Sequence, residues 1–195
     1  MANVDKDNGF KPVSTISGAP ISGQIRKYVV LAADTTAVGL GDAVKLTGTS
    51  SADGFYGAVR SITATSDVVL GVVVGFEANP DNLNLSGMYR STAATAKDRG
   101  VFVAVGSDVI FEAQFDGDVA DSSIGLNAFT TIATPNTTTG RSKFELASGS
   151  VATDVNGQWK IIGLRSGPND DPTTSWQRGL VTINNSLLAP AKAGI

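Results

Sequence analysis

The sequence predicts an all-β protein: a β-barrel or β-sandwich body of short antiparallel strands with an extended N-terminal arm. Three observations carry this expectation. The run Asp67 to Glu77 is apolar and rich in Val, and it closes on the turn-forming Asn79-Pro80-Asp81-Asn82, which suits a strand covered on both faces better than so short a helix. Other short apolar runs recur with a period of two between Gly-, Asp- and Ser-rich turns. No tandem repeat or coiled-coil heptad breaks that pattern.

The segment from Met1 to about Gly23 is polar and interrupted by Gly9, Pro12, Gly18, Pro20 and Gly23. It reads as an extended arm, or at its plainest as a frayed terminus. Phe10-Lys11-Pro12-Val13 favours docking, because the ring buries much area and the stiff Pro limits the entropy lost. A stretch so polar forms no core alone. Residues 1–23 are therefore expected to pack on a neighbour rather than on their own body, with Phe10, Pro12, Val13 and Ile16 as contacts, and their deletion should leave the body folded.

Residues 24–188 form the expected β-rich body. From Arg26, Tyr28, Val30 and Ala32 share one face and Val29, Leu31 and Ala33 the other. Gly41-Asp42-Ala43-Val44-Lys45-Leu46 is a strand entered from a Gly turn; Ser50 to Gly54 is a loop, and Phe55 to Val59 is the next strand of a meander. In the central run Val72 and Val74 face the core, while Gly71 and Gly75 admit a close backbone or a sharp bend. Ser91 to Lys97 is one helical turn or a loop. Val101 to Val105 is a dense strand, and Gly106-Ser107 suits a hairpin into Asp108 to Phe115, where Val109, Phe111, Ala113 and Phe115 point inward and Glu112 and Gln114 outward. Thr130 to Thr139 reads as an exposed excursion. Phe144 to Leu146, Gln158 to Leu164 and Gly179 to Asn185 are the remaining strands, Ser166 to Pro172 is a rigid loop, and residues 189–195 form a tail.

Composition narrows the chemistry. With 195 residues the chain is long enough to bury a core without staples. It contains neither Cys nor His, which removes disulfides, thiolate metal sites, Cys nucleophiles, Ser-His-Asp triads and ordinary zinc sites. No enzymatic activity, cofactor or metal is expected. Net charge is −3, and the Lys and Arg residues are scattered without a phosphate-tracking stripe, so no nucleic-acid partner is expected. The charged start and the lack of an apolar run of about 20 residues point to a soluble protein made in the cytoplasm, with no membrane partner.

Individual motifs resolve towards structure. Asp5-Lys6-Asp7-Asn8-Gly9 fails as a calcium loop, since Gly9 comes one position early and Ile16 stands where a bidentate Glu is needed. Gly39-Leu40-Gly41 lacks the third Gly of a dinucleotide fingerprint and is a turn. Asp108 and Glu112 share a strand face, yet four residues at about 3.3 Å each separate them by roughly 13 Å, beyond the usual 5–9.5 Å between catalytic carboxyls. Asp116 and Asp118 sit in turn sequence, where Asp is common. Asn84-Leu85-Ser86, Asn136-Thr137-Thr138 and Asn184-Asn185-Ser186 match the glycosylation pattern without a secretory signal and are chance matches. Trp159 alternates with Ile161 and belongs to the core, whereas Trp176 lies beyond the Pro172 loop and is the better candidate for a contact surface.

The combination of Met1 to Val13, Gly41 to Leu46, Gly71 to Phe76, Asn79 to Leu83 and Trp176 to Asn185 resembles the capsid decoration, or cement, proteins of tailed bacteriophages, and the likeness runs along nearly the whole chain. The resemblance implies a β-rich structural protein of the virion on the outer surface of the head. Its partner would be the major capsid protein, with self-association as a homotrimer. No catalytic residue carries over, and Phe10, Pro12, Val13, Ile16 and Trp176 become candidate capsid or subunit contacts. Two other classes compete with it: a tail or fibre component that binds host carbohydrate through Trp176 and the Thr-rich loop, and a His-free carboxylate enzyme.

Overall fold

The computed structural model describes residues 3–79, 89–90, 97–167, 170–171, 174–190 and 193–194. Its strands are β1 (Lys11–Thr15), β2 (Ile25–Val30), β3 (Val38–Gly39), β4 (Ala43–Ser50), β5 (Gly57–Ser61), β6 (Gly71–Phe76), β7 (Tyr89–Arg90), β8 (Arg99–Val105), β9 (Val109–Gln114), β10 (Asn127–Ala128), β11 (Thr130–Thr131), β12 (Glu145–Leu146), β13 (Trp159–Leu164) and β14 (Arg178–Ile183). Helical structure among the described residues is confined to 3-10 turns at Ile21–Gln24, Asp121–Ser123 and Ser148–Ser150. The protein is all-β. The expected Asn-Pro-Asp-Asn turn from residue 80 onward, the helical turn or loop at 91–96, and Pro168, Asn169 and Pro172 of the rigid loop lie outside the described residues.

A closed barrel in the order β2-β5-β4-β6-β8 lies against a five-stranded sheet in the order β1-β9-β14-β13-β10. The apolar run of β6 follows from this arrangement. Val73 joins Val44, Leu70, Val101 and Val103 inside the barrel, whereas Val72 packs with Phe111, Trp159 and Val181 in the core shared with the sheet. Residues pointing either way are thus withdrawn from water, which favours Val at successive positions over strict alternation. Val74 is only half-buried, though it packs on the same outer core. At Gly71 any Cβ would overlap the carbonyl of Ala104 on β8, so the close approach expected there is real. Gly75 follows a register shift after Val73, where β6 bends past Phe102.

The barrel is not a simple meander. β4 and β5 form a hairpin, but β6 pairs with β4 rather than β5, and β2 meets β5 in parallel at Val29 and Ala58. Nor does Gly106 turn a hairpin. With φ of 111° it directs the chain out of barrel strand β8 into β9, the neighbour of β1 and β14 in the other sheet. Along β9 the expected alternation holds at Val109, Phe111, Ala113 and Phe115, all buried. Gln114 is buried as well, because its amide donates to Asp5 and Glu145.

The expectation that the N-terminal segment leaves its own body is corrected. Phe10 is 1% exposed and stacks on Trp159 with ring centroids 4.0 Å apart, and Phe111 meets the same indole edge-on at 5.7 Å. Its N–H donates to the carbonyl of Gly41 at 2.9 Å. Gly9, at φ 59°, has no room for a Cβ against Ser142 and Gly41. Residues 11–15 then pair antiparallel with β9, Lys11 opposite Glu112 and Thr15 opposite Val109. Further upstream, Asn3 is buried and clasps Asp171 in both directions, donating to its carbonyl at 3.0 Å and accepting from its N–H at 2.8 Å. The apolar pegs are sparse because the sheet needs only one large ring from this segment, and β9 supplies the rest.

Two further expectations shift. Thr130 to Thr139 is pinned rather than a free excursion: Thr130 is buried and accepts a hydrogen bond from the Trp159 indole at 2.8 Å. The C-terminal tail also returns to the body, where the carbonyl of Ala193 accepts from Lys160 and the N–H of Gly194 reaches Thr153. The buried positions of Trp159 and Ile161 agree with the reading of their alternation.

Phe10→Ala should destabilise the folded chain by about 3–5 kcal/mol in urea titrations, the usual cost of emptying a buried Phe site. Removal of residues 1–15 should go further and lower the melting temperature by well over ten degrees. A truncated chain that melts with the full-length protein would contradict the burial of Phe10.

Candidate interaction surface

The five candidate contacts divide into three groups. Phe10 is internal and unavailable to any partner. Pro12 and Val13 are half-buried on β1, an edge of the five-stranded sheet, where the register shifts between Pro12 and Ser14. Ile16 is 62% exposed just past β1, and its segment is held by Ile16 N–H to the Asp108 carbonyl and by Ser17 to the Asp108 carboxylate. Trp176 is 38% exposed with φ of 62°, and it is the one non-glycine residue with positive φ among those described. That conformation is uncommon for a bulky side chain and turns the indole to the surface at the start of β14. Apart from Pro12 and Val13, which neighbour Phe10, these residues do not converge on one site.

A groove of about 470 Å³ lies between residues 8–12, β6 and β9. It is lined by the half-buried Pro12 and Val74 and by the charged Lys11, Arg141, Arg178 and Glu112. Arg178 is already engaged: it grips Asp170 through two bonds of 2.7 and 2.6 Å and Glu112 at 2.9 Å, while Arg165 takes the other Glu112 oxygen at 2.9 Å. The Asp170 contact holds the Arg178 guanidinium more firmly charged than usual. This network fastens Arg165 and Asp170 to β9 and β14 and engages both oxygens of Glu112.

The acidic residues weighed as catalytic candidates are similarly occupied. Asp116 accepts from the Thr131 hydroxyl and from both the N–H and hydroxyl of Ser148. Asp118 accepts from Ser175 at 2.7 Å. Among the described residues no group of three or more acidic side chains is arranged to hold a metal ion.

Two carboxyls stand apart. Asp42 is completely buried at the crossing of residues 8–10 with the barrel; its Oδ2 accepts from Gly39 N–H at 2.8 Å and from Ser61. Burial raises its pKa to about 7 against the opposing pull of the Ser142 hydroxyl, the Gly39 N–H and the Ser61 hydroxyl. Glu145 is also raised to about 7, first by burial and then by the charges of Asp5, Asp116 and Asp7.

The residue that sequence reasoning missed is Phe55. Expected to begin a strand, it sits instead on the loop before β5 and is 82% exposed. The signal was present: Phe55 directly follows Asp53-Gly54, the tip of a tight turn, and a side chain there has no sheet to cover it. Comparison with family models, curated proteins and solved structures finds no match for this chain.

Stability should depend on pH in a specific direction. Asp42 and Glu145 bind a proton in the folded chain that the unfolded chain has released once pH passes about 4, so stability falls as pH rises from about 4 to 7 and is level above. Below about 4 the opposite group acts. Asp67 and Asp116 are held low despite partial burial, Asp67 by Lys45 and the Thr63 and Ala64 N–H groups, Asp116 by Thr131 and Ser148. The melting temperature should therefore peak near pH 4–5, and Asp42→Asn or Glu145→Gln should each flatten its decline towards neutrality. A wild-type melting temperature that climbs between pH 5 and 7.5 would contradict this assignment.

Proposed function

We propose that this chain is a structural virion protein that decorates the outside of a tailed-phage head and joins neighbouring major capsid subunits. The observation that carries the reading is the set of segments resembling such proteins. Two of them, Gly41 to Leu46 and Gly71 to Phe76, build the adjoining strands β4 and β6. What supports it physically is a rigid double-layered body with isolated apolar side chains at separate places on its surface, Val4, Ile16 and Trp176 among them. Many weak contacts repeated over a shell add up through multivalency. The resemblance adds a homotrimer.

A second reading rests on Trp176 alone. An indole held at the surface in a sparsely populated backbone conformation suits stacking on a sugar ring, as in a tail or fibre component that binds host carbohydrate. The Thr-rich segment contributes less to this reading, since Thr130 is committed to Trp159.

The purified protein should co-sediment with heads built from the cognate major capsid protein and raise their resistance to heat and osmotic shock. Ile16→Asp should weaken retention while leaving the melting temperature unchanged. Glycan binding abolished by Trp176→Ala, with no binding to heads, would move the assignment to the second reading.

A further inference from the structure

Phe55 forms part of the wall of a groove of about 650 Å³, together with Arg26, Tyr28, Tyr56, Val105 and Leu188. Leu188 is 62% exposed, and Leu46, also exposed, borders Tyr28 across Gly57. Phe55, two leucines and two tyrosines gather apolar surface on one face, unlike apolar side chains scattered singly over a surface.

Phe55 is not exposed by looseness. Ser51 N–H bonds Tyr56 O at 2.8 Å, Gly54 N–H bonds Ser51 O at 2.9 Å, and the Ser51 hydroxyl joins Asp53 to the Tyr56 N–H. Asp53 also accepts from Phe55 N–H at 3.1 Å. The ring is thus presented on a pre-formed turn, and little ordering remains to be done on contact.

Charge on the same face is divided in an informative way. Lys27 is satisfied internally, paired with Glu77 at 2.6 Å and lying 4.5 Å over the Tyr56 ring. Arg26 on the groove wall is exposed and donates to the backbone carbonyls of Gly23 and Ile25, with no carboxylate partner among the described residues. Asp53 stays ionised, held low first by the Ser51 hydroxyl and then by the Phe55 N–H. One face therefore carries an exposed ring, the groove it borders, an open cation on the groove wall and an anion beside the ring.

We infer that this face binds a second copy of the same chain, with Phe55 of each copy entering the partner's groove between Tyr28 and Leu188 while Asp53 meets the partner's Arg26. A second copy is the occupant because both halves of the complementary set lie on one surface. Rotation about a twofold axis then makes each contact twice, as a closed interface requires, so the pair is a dimer and stands against the homotrimer that the resemblance implies. The inference is independent of the capsid reading: failure to bind heads leaves it standing, and its own test uses only the purified chain.

Molar mass by light scattering and analytical ultracentrifugation should show concentration-dependent association below about 100 µM, and Phe55→Ser should weaken it at least tenfold without moving the melting temperature. Arg26→Glu should weaken association without moving the melting temperature. Because the sequence has no cysteine, mixing Phe55→Cys with Leu188→Cys should give a single disulfide-linked pair under mild oxidation. A wild-type monomer throughout that range overturns the inference, as does association untouched by Phe55→Ser. Failure of the cross-linking overturns it too. A monomer in which Phe55→Ser abolishes binding to heads gives this face to the shell instead of a second copy.

Discussion

The structure depends on how Phe10 is held. Its amide is bonded to Gly41 at the edge of the barrel, and its ring is stacked on Trp159 of β13 in the opposing sheet. One residue therefore joins both layers at once, through a directional bond on one side and a large apolar contact on the other. The neighbouring backbones must come very close for this to happen, which is why Gly9 and Gly41 have positive φ and why Ser142 is fully enclosed. Buried polar atoms close the same seam. Gln158 receives the Thr130 N–H and gives its own amide protons to Ala64 and Asp67 at the approach to β6. A fully satisfied buried amide adds register to a contact that apolar side chains alone would leave slippery.

Much of this was legible from local pattern. The run around β6, the alternation in β9 and the pairing of Trp159 with Ile161 all record which faces lose water, and such information is written every second residue. What the pattern does not record is which partner does the covering. Phe10 advertises an appetite for burial, but nothing beside it in the sequence names Trp159, so the same residues fit an arm reaching to another molecule. Gly106 has the same ambiguity: a positive-φ glycine between two strands serves a hairpin or a crossing between layers, and only the hydrogen-bond partners of β8 and β9 decide. Phe55 was misread for a simpler reason, because an aromatic residue before Gly57-Ala58-Val59 prolongs a strand-like run past the point where the sheet ends.

The edge formed by β1 shows how the exposed rim is kept single. Pro12 has no N–H to offer to an incoming strand, and the register break before Ser14 twists the following residues out of line. The sheet is thereby discouraged from extending into a neighbour by backbone pairing, and contacts with other molecules fall to side chains.

The five-stranded sheet draws its members from both ends of the chain, with β1 beside β9 and β14, while the barrel is assembled from the continuous stretch between Ile25 and Val105. On a ribosome these two layers cannot form together. The barrel sequence is complete long before Trp159 emerges, and at roughly 5–20 residues per second the first strand waits many seconds for the ring it will meet. During that interval Phe10 is a bare aromatic on a polar tether. The polarity of residues 3–8, unhelpful for building a core, keeps the waiting segment dissolved until its partner is made.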